Sequence, residues 1–197
     1  MSDRYPQLEI SSGEQWQAWL EASHASSTGV WLVVYKKAAG ERHVPHDVIV
    51  QEALAHGWVD SRSRGLDAAR SQLLLTPRKP GSGWSRVNKA HVEQLQRDGR
   101  MHPAGQAVID AALADGSWTA LDDVENLVEP DDLRAALDAD PAARLEWDAF
   151  SRSAKRAILE WVGSAKREQT RAGRVAQTAK LASHGIRANQ PGQTKPR

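Results

Sequence analysis

The chain predicts an α+β fold, with a small strand-rich N-terminal part and a helix-rich C-terminal half. Three observations lead there. The runs that read as strands, Gly29–Tyr35, Trp58–Val59 and Ser71–Thr76, all lie before residue 80. Helix starts and stops dominate everywhere else. At 197 residues, 40% hydrophobic and 26% charged, the composition is that of a soluble globular protein with room for one sizeable core.

Taken in order, Ser12 and Gln15 form a capping box, and Trp16, Trp19 and Leu20 give the helix that follows an apolar side. Gly29–Tyr35 is short and β-rich, hence a strand, ended by Lys36-Lys37 and turned at Gly40. Residues 45–56 read as a helix stopped by Gly57, where a left-handed cap is expected. Two Pro and two Gly between Pro77 and Gly83 demand a loop. A helix then runs from Trp84 or Ser85 to Asp98, and another opens at Pro103 and ends near Gly116. Pro130 and Pro141 punctuate the helical last third, where Phe150, Ala154, Ala157, Ile158 and Trp161 share an apolar face. Lys166 to Ser183 reads as a long basic helix. Residues 1–183 form one globular unit, with a candidate sub-boundary near Arg100 between an α+β part and a helical part. The Pro- and Gly-containing residues 184–197 read as a disordered tail.

The chain has no cysteine, which excludes a disulfide scaffold, a thiol nucleophile and a thiolate metal site. Its N-terminus lacks an apolar signal core and no run reaches membrane-spanning length, so the expectation is a cytoplasmic protein without membrane insertion. Net charge is +1, unevenly spread: residues 151–197 carry +9 and residues 1–150 carry −8. Either the basic C-terminal helix lies on the acidic segment 110–148, or it offers a basic face to nucleic acid or another polyanion. The near-zero total favours the first reading and makes a nucleic-acid partner the weaker one.

The densest chemistry lies between Gly57 and Asn88. Arg78 ends an apolar run and precedes a Pro/Gly loop that leads into a helix start. Free backbone N–H groups and a planar, multi-donor guanidinium suit a carboxylate or phosphate. Trp58 and Trp84 supply walls, Asp60 and Asn88 orient polar groups, Ser85 caps the helix or contributes a hydroxyl, and Lys36 and Lys37 either form a solvated strand end or send one side chain, that of Lys36, back toward the site. Each also has a plain role: Trp as core, Asp60 in an ion pair with Arg62, Arg64 or Arg78, Asn88 as a satisfied helix residue. The expected ligand is therefore small and anionic or planar. A metal set drawn from His43, His46, His56 and Asp60 has spacing common by chance, so no metal and no cofactor is expected. Spacing selects no catalytic set and leaves both enzymatic activity and oligomeric state open.

The motifs Gly29-Val30-Trp31-Leu32, residues 53–61, Thr76-Pro77-Arg78-Lys79-Pro80 with Trp84-Ser85 and Asn88, residues 99–105, Ser151-x-Ser153-x-Lys155-Arg156 and Trp161-Val162 run in order over roughly residues 14–183. On these the chain resembles the bacterial YdeI/OmpD-associated family, also labelled bacteriocin-protection proteins. His56 stands where that family's pattern has Cys or Phe. The resemblance implies a small helix-rich α+β protein and supplies no catalytic mechanism. Its label also implies a non-catalytic role in protein interaction or protection against antimicrobial peptides.

Overall fold

The computed structural model describes residues 5–190, so the last residues of the expected tail, 191–197, lie outside the described part. The chain is α+β and divides into two compact units, Met1–Ala120 and Leu121–Arg197. The division falls after the helix that ends at Asp115, beyond the candidate boundary near Arg100.

The first unit holds a four-stranded mixed sheet in the order β1-β2-β4-β3, built from β1 (Gln7–Glu9), β2 (Val30–Tyr35), β3 (Trp58–Gly65) and β4 (Arg70–Pro77). β1 runs parallel to β2, and the other pairings are antiparallel. Alternation gives the sheet a face. Val30, Leu32, Leu73, Leu75 and Trp58 pack on Trp16 and Leu20 of α1 (Gly13–Ser23) and on Ile49 and Ala53 of α2 (His46–Ala55). A second cluster joins the other side of α2, through Val50, Leu54 and Ala55, to α3 (Arg86–Arg97) and α4 (Pro103–Asp115), with Trp84 among its members. The layers therefore run sheet, α1 with α2, then α3 with α4.

Local chemistry sets the element ends. Ser12 caps α1 by accepting from the Gln15 N–H, while the Gln15 side chain accepts from the Ser11 N–H at 2.7 Å. Gly57 stops α2 at φ +77° and Gly116 stops α4 at φ +78°, both in the left-handed region. β3 is longer than its apolar Trp58-Val59 start suggests. It is an edge strand whose second half, Ser61–Gly65, is polar and held by its hairpin with β4.

The second unit is helical throughout its described residues: α5 (Asp122–Glu125), α6 (Asp131–Asp138), α7 (Pro141–Ala149), α8 (Arg152–Gly163) and α9 (Glu168–Ala182). Its core gathers Leu133, Leu137, Trp147, Ile158, Val162 and Val175. Ala188 is buried there too, so the expected tail is packed at least that far. The basic α9 meets the acidic segment through Arg171, whose guanidinium grips both oxygens of Asp132 at 2.7 and 2.9 Å. Arg174 lies over the Trp161 ring and donates to its carbonyl. No helix among the described residues is long and apolar enough to cross a membrane.

Candidate functional site

Arg78 follows the last residue of β4, and its N–H is fixed to the Gly57 carbonyl at 2.9 Å. The strand's exit therefore drives its side chain under the Pro/Gly loop rather than out to solvent, and the residue is only 8% exposed. Its guanidinium lies 3.7 Å from the Trp84 ring centroid, and Nη2 donates to the Gly83 carbonyl. Among the described residues no carboxylate pairs with it, and nothing accepts from its Nε and Nη1 or from the Trp84 Nε1. Burial pulls the Arg78 pKa down to about 10, which leaves it protonated at neutral pH.

Arg78 and Trp84 line a cleft of about 170 Å³. The loop residues Lys79–Ser82 form one wall. Ala107, Val108, Ala111 and Ala112 of α4 form another, with Asp115 and Ser117 at its end. The small residues at 107 and 111 are one helical turn apart and leave the space that a larger side chain would fill. Asp115 accepts from the Ser117 side chain and backbone and from the Gly81 backbone, which ties the loop to α4 and holds its carboxyl below the usual range. Trp84 is further fixed against Trp118, with ring centroids 4.9 Å apart.

The other expected site residues are placed elsewhere. Trp58 is core: it is 1% exposed, edge-on to Trp19, and its Nε1 donates to the His24 carbonyl at 3.2 Å. Ser85 caps α3 by accepting from the Asn88 N–H, and neither Ser85 nor Asn88 lines the cleft. Lys36 lies at the opposite end of β2, where its ammonium donates to the carbonyls of Asp67 and Ala68 in the β3–β4 turn. Among the described residues Asp60 does not meet an arginine. A bulge between Asp60 and Arg62 changes the facing of β3. Asp60 is left 3.4 Å from the His46 Nε2 of α2, while Arg64 lies over the Trp31 ring and bonds Gln72. The site thus keeps Arg78 and Trp84 from the expected set and gains the α4 wall. Sequence spacing hides that wall because an alanine-rich turn reads as ordinary helix packing.

The histidines also sort differently. His43 bonds the Tyr35 carbonyl at 2.8 Å and His46 faces Asp60, whereas His56 sits with Glu21, His24 and His102.

No curated protein and no solved structure matches the chain significantly. Two family models do match. The one described as Domain of unknown function (DUF8412) covers residues 8–108, just over half the chain, and includes the sheet and Arg78. The one described as Bacteriocin-protection, YdeI or OmpD-Associated covers residues 126–185, all within the helical unit. Of the motifs that carried the resemblance, only those at Ser151–Arg156 and Trp161-Val162 fall within the second match. The chain belongs to the DUF8412 family, whose model covers just over half of it, and its C-terminal unit is similar to the Bacteriocin-protection, YdeI or OmpD-Associated model over residues 126–185.

Proposed function

We propose that the N-terminal unit binds a small organic anion, with a single carboxylate-type head and a compact apolar or planar body, in the cleft beside Arg78. The observation that carries this is the buried guanidinium without a carboxylate partner. Burying an ion is costly unless its donors are satisfied, and Arg78 Nε and Nη1 together with Trp84 Nε1 are covered donors without an acceptor, which an oxygen acceptor entering the cleft would reach once the loop gives way. The alanine and valine wall of α4 suits an apolar body, and the cleft's size limits it to a small molecule. Asp115 at the same cleft disfavours a second negative charge, which argues against polyphosphates and nucleic-acid backbone. In the C-terminal unit, Arg171 and Arg174 are already engaged by Asp132 and Trp161, which lessens the case for α9 as a polyanion surface.

The test is a thermal-shift screen of the full chain against monocarboxylates of graded size, sugar phosphates and nucleotides. A compact monocarboxylate should raise the melting temperature, with about 2.7 kcal/mol of added stability at a hundredfold excess over Kd. Arg78→Lys should lose the response, because lysine keeps the charge but not the planar fork. Stabilisation by nucleotides alone, or an equal response in the Lys variant, would reject the reading.

A further inference from the structure

We propose that Glu21, His56 and His102 form a binding site for a divalent transition-metal ion of the zinc type, separate from the Arg78 cleft. A carboxylate oxygen of Glu21 and one ring nitrogen each from His56 and His102 lie within 4.8 Å of one another. They come from three elements: the last turns of α1, the C-terminal end of α2 and the N-cap of α4. Two glycines make the convergence possible. A Cβ on Gly105 would collide with the Ala55 carbonyl, and one on Gly57 would press on Val108 and Ala104. Only bare backbone lets α4 close on the end of α2 and set His102 beside His56, with ring centroids 4.8 Å apart.

The protonation pattern points to a cation. His56 Nδ1 is 3.0 Å from the Glu52 carbonyl, which can only accept, so Nδ1 carries the ring's proton. In the neutral ring Nε2 is then a lone pair, and it faces the Glu21 Oε1 at 3.3 Å. Two acceptors at that distance repel unless a positive charge lies between them. The His56–Glu21 separation matches a tetrahedral zinc site, where bonds of about 2.0–2.1 Å put ligand atoms roughly 3.3–3.4 Å apart, and His102, within 4.8 Å, closes in as the ion binds. The carbonyl on Nδ1 is the outer partner that orients a metal-bound histidine. Two imidazoles and a carboxylate without thiolate select zinc-like ions over magnesium or calcium.

His102 makes the site conditional. Its Nδ1 accepts from the Ala104 N–H at 3.1 Å, capping α4, so the neutral ring holds its proton on Nε2. To coordinate through Nε2 the ring moves that proton to Nδ1 and releases the Ala104 amide. The ion therefore competes with a helix cap, and the site is weaker than a preformed structural zinc centre.

The experiment is calorimetric titration of Zn²⁺ into the full chain, chelator-stripped and without an affinity tag, with Mg²⁺ as control and Co²⁺ absorption as a geometric readout. The expected result is one Zn²⁺ per chain, no Mg²⁺ binding, and a visible Co²⁺ band of low coordination number. Glu21→Gln and His102→Asn should each weaken Zn²⁺ at least tenfold. Asparagine is itself a good N-cap, so the second variant keeps α4 intact, and an unchanged circular dichroism spectrum verifies this. Arg78→Met should bind Zn²⁺ like the wild type. Absence of saturable Zn²⁺ binding, or an affinity unchanged in either site variant, overturns the proposal.

Discussion

Arg78 and Arg144 are both largely withdrawn from water, one in each unit, and their surroundings are opposite. Arg144 meets Glu129 at 2.9 Å, Asp138 at 2.8 Å and Asp148 at 3.3 Å, and these carboxylates raise its pKa. Arg78 meets one carbonyl and an indole face, and burial lowers its pKa. The first arrangement is complete in itself and staples helices together. The second leaves donors over, and a fold that tolerates them does so at a cost to its own stability. The same residue type is therefore a structural part in one unit and a candidate binding group in the other, and the difference lies in the acceptors around it.

The largest expected effect is on the stapled side. Arg144→Met leaves the half-buried Glu129 carboxylate with only the Trp147 indole N–H, at 2.7 Å, in place of a two-pronged ion pair. Breaking such a pair from one side should destabilise the C-terminal unit by about 3 kcal/mol, measured by urea unfolding. A loss under about 0.5 kcal/mol would erase the contrast between the two arginines.

Next comes the packing that builds the cleft's far wall. Gly105→Ala sets a methyl against backbone rather than against a yielding side chain. Overpacking there should cost about 2 kcal/mol and move α4, so ligand response and stability should fall together. A fully stable variant would mean that α4 does not approach α2 so closely.

Acid should separate the two units. Burial, with His56 and His24 nearby, holds His102 below its ordinary 6.5. A histidine whose folded pKa is depressed contributes stability above its unfolded value, and that contribution is lost as pH falls through 6.5 toward the folded value. In the C-terminal unit, burial alone would raise the Glu129 carboxyl, but hydrogen bonds from Arg144 and Trp147 outweigh it and hold it below 4.5, while Arg171 holds Asp132 below 3.8. Those contributions persist until pH falls below about 4.5. Melting followed at stepped pH should show the N-terminal unit weakening first, and His102→Asn should remove that early phase. A simultaneous decline of both units in the variant and the wild type would show that His102 does not set the order.

The smallest effect is the most diagnostic. Arg78→Met removes a buried charge that no carboxylate balances, so the unliganded protein should stay within about 1 kcal/mol of wild type or gain slightly. A loss comparable to Arg144→Met would make Arg78 a structural residue.

Much of the fold could be read from the chain because its punctuation is local. Ser12, Gly57, Ser85, Pro103, Gly116 and Pro141 act within a turn of where they stand, and each marks an element end as expected. The second half of β3 could not be read that way, because its residues are polar and its order comes from pairing with β4. The site was half legible. Arg78 and Trp84 announce themselves by type and by their Pro/Gly loop. Asp60 misled because one bulge residue changes which face a strand's side chains take, and no local signal marks it. The α4 wall and the Glu21–His56–His102 cluster join residues tens of positions apart, which only the tertiary fold brings together.

The most direct test of the binding account is to watch the unsatisfied donors themselves. In ¹⁵N-labelled protein, the Trp84 indole N–H, assigned through Trp84→Phe, and the Arg78 Nε–H can be followed while the monocarboxylate found by the screen is added. The account predicts that both signals shift in a saturable way with one Kd, and that Arg78→Lys abolishes the Trp84 response. Saturable binding that moves signals elsewhere while the Trp84 and Arg78 N–H groups stay fixed would contradict it.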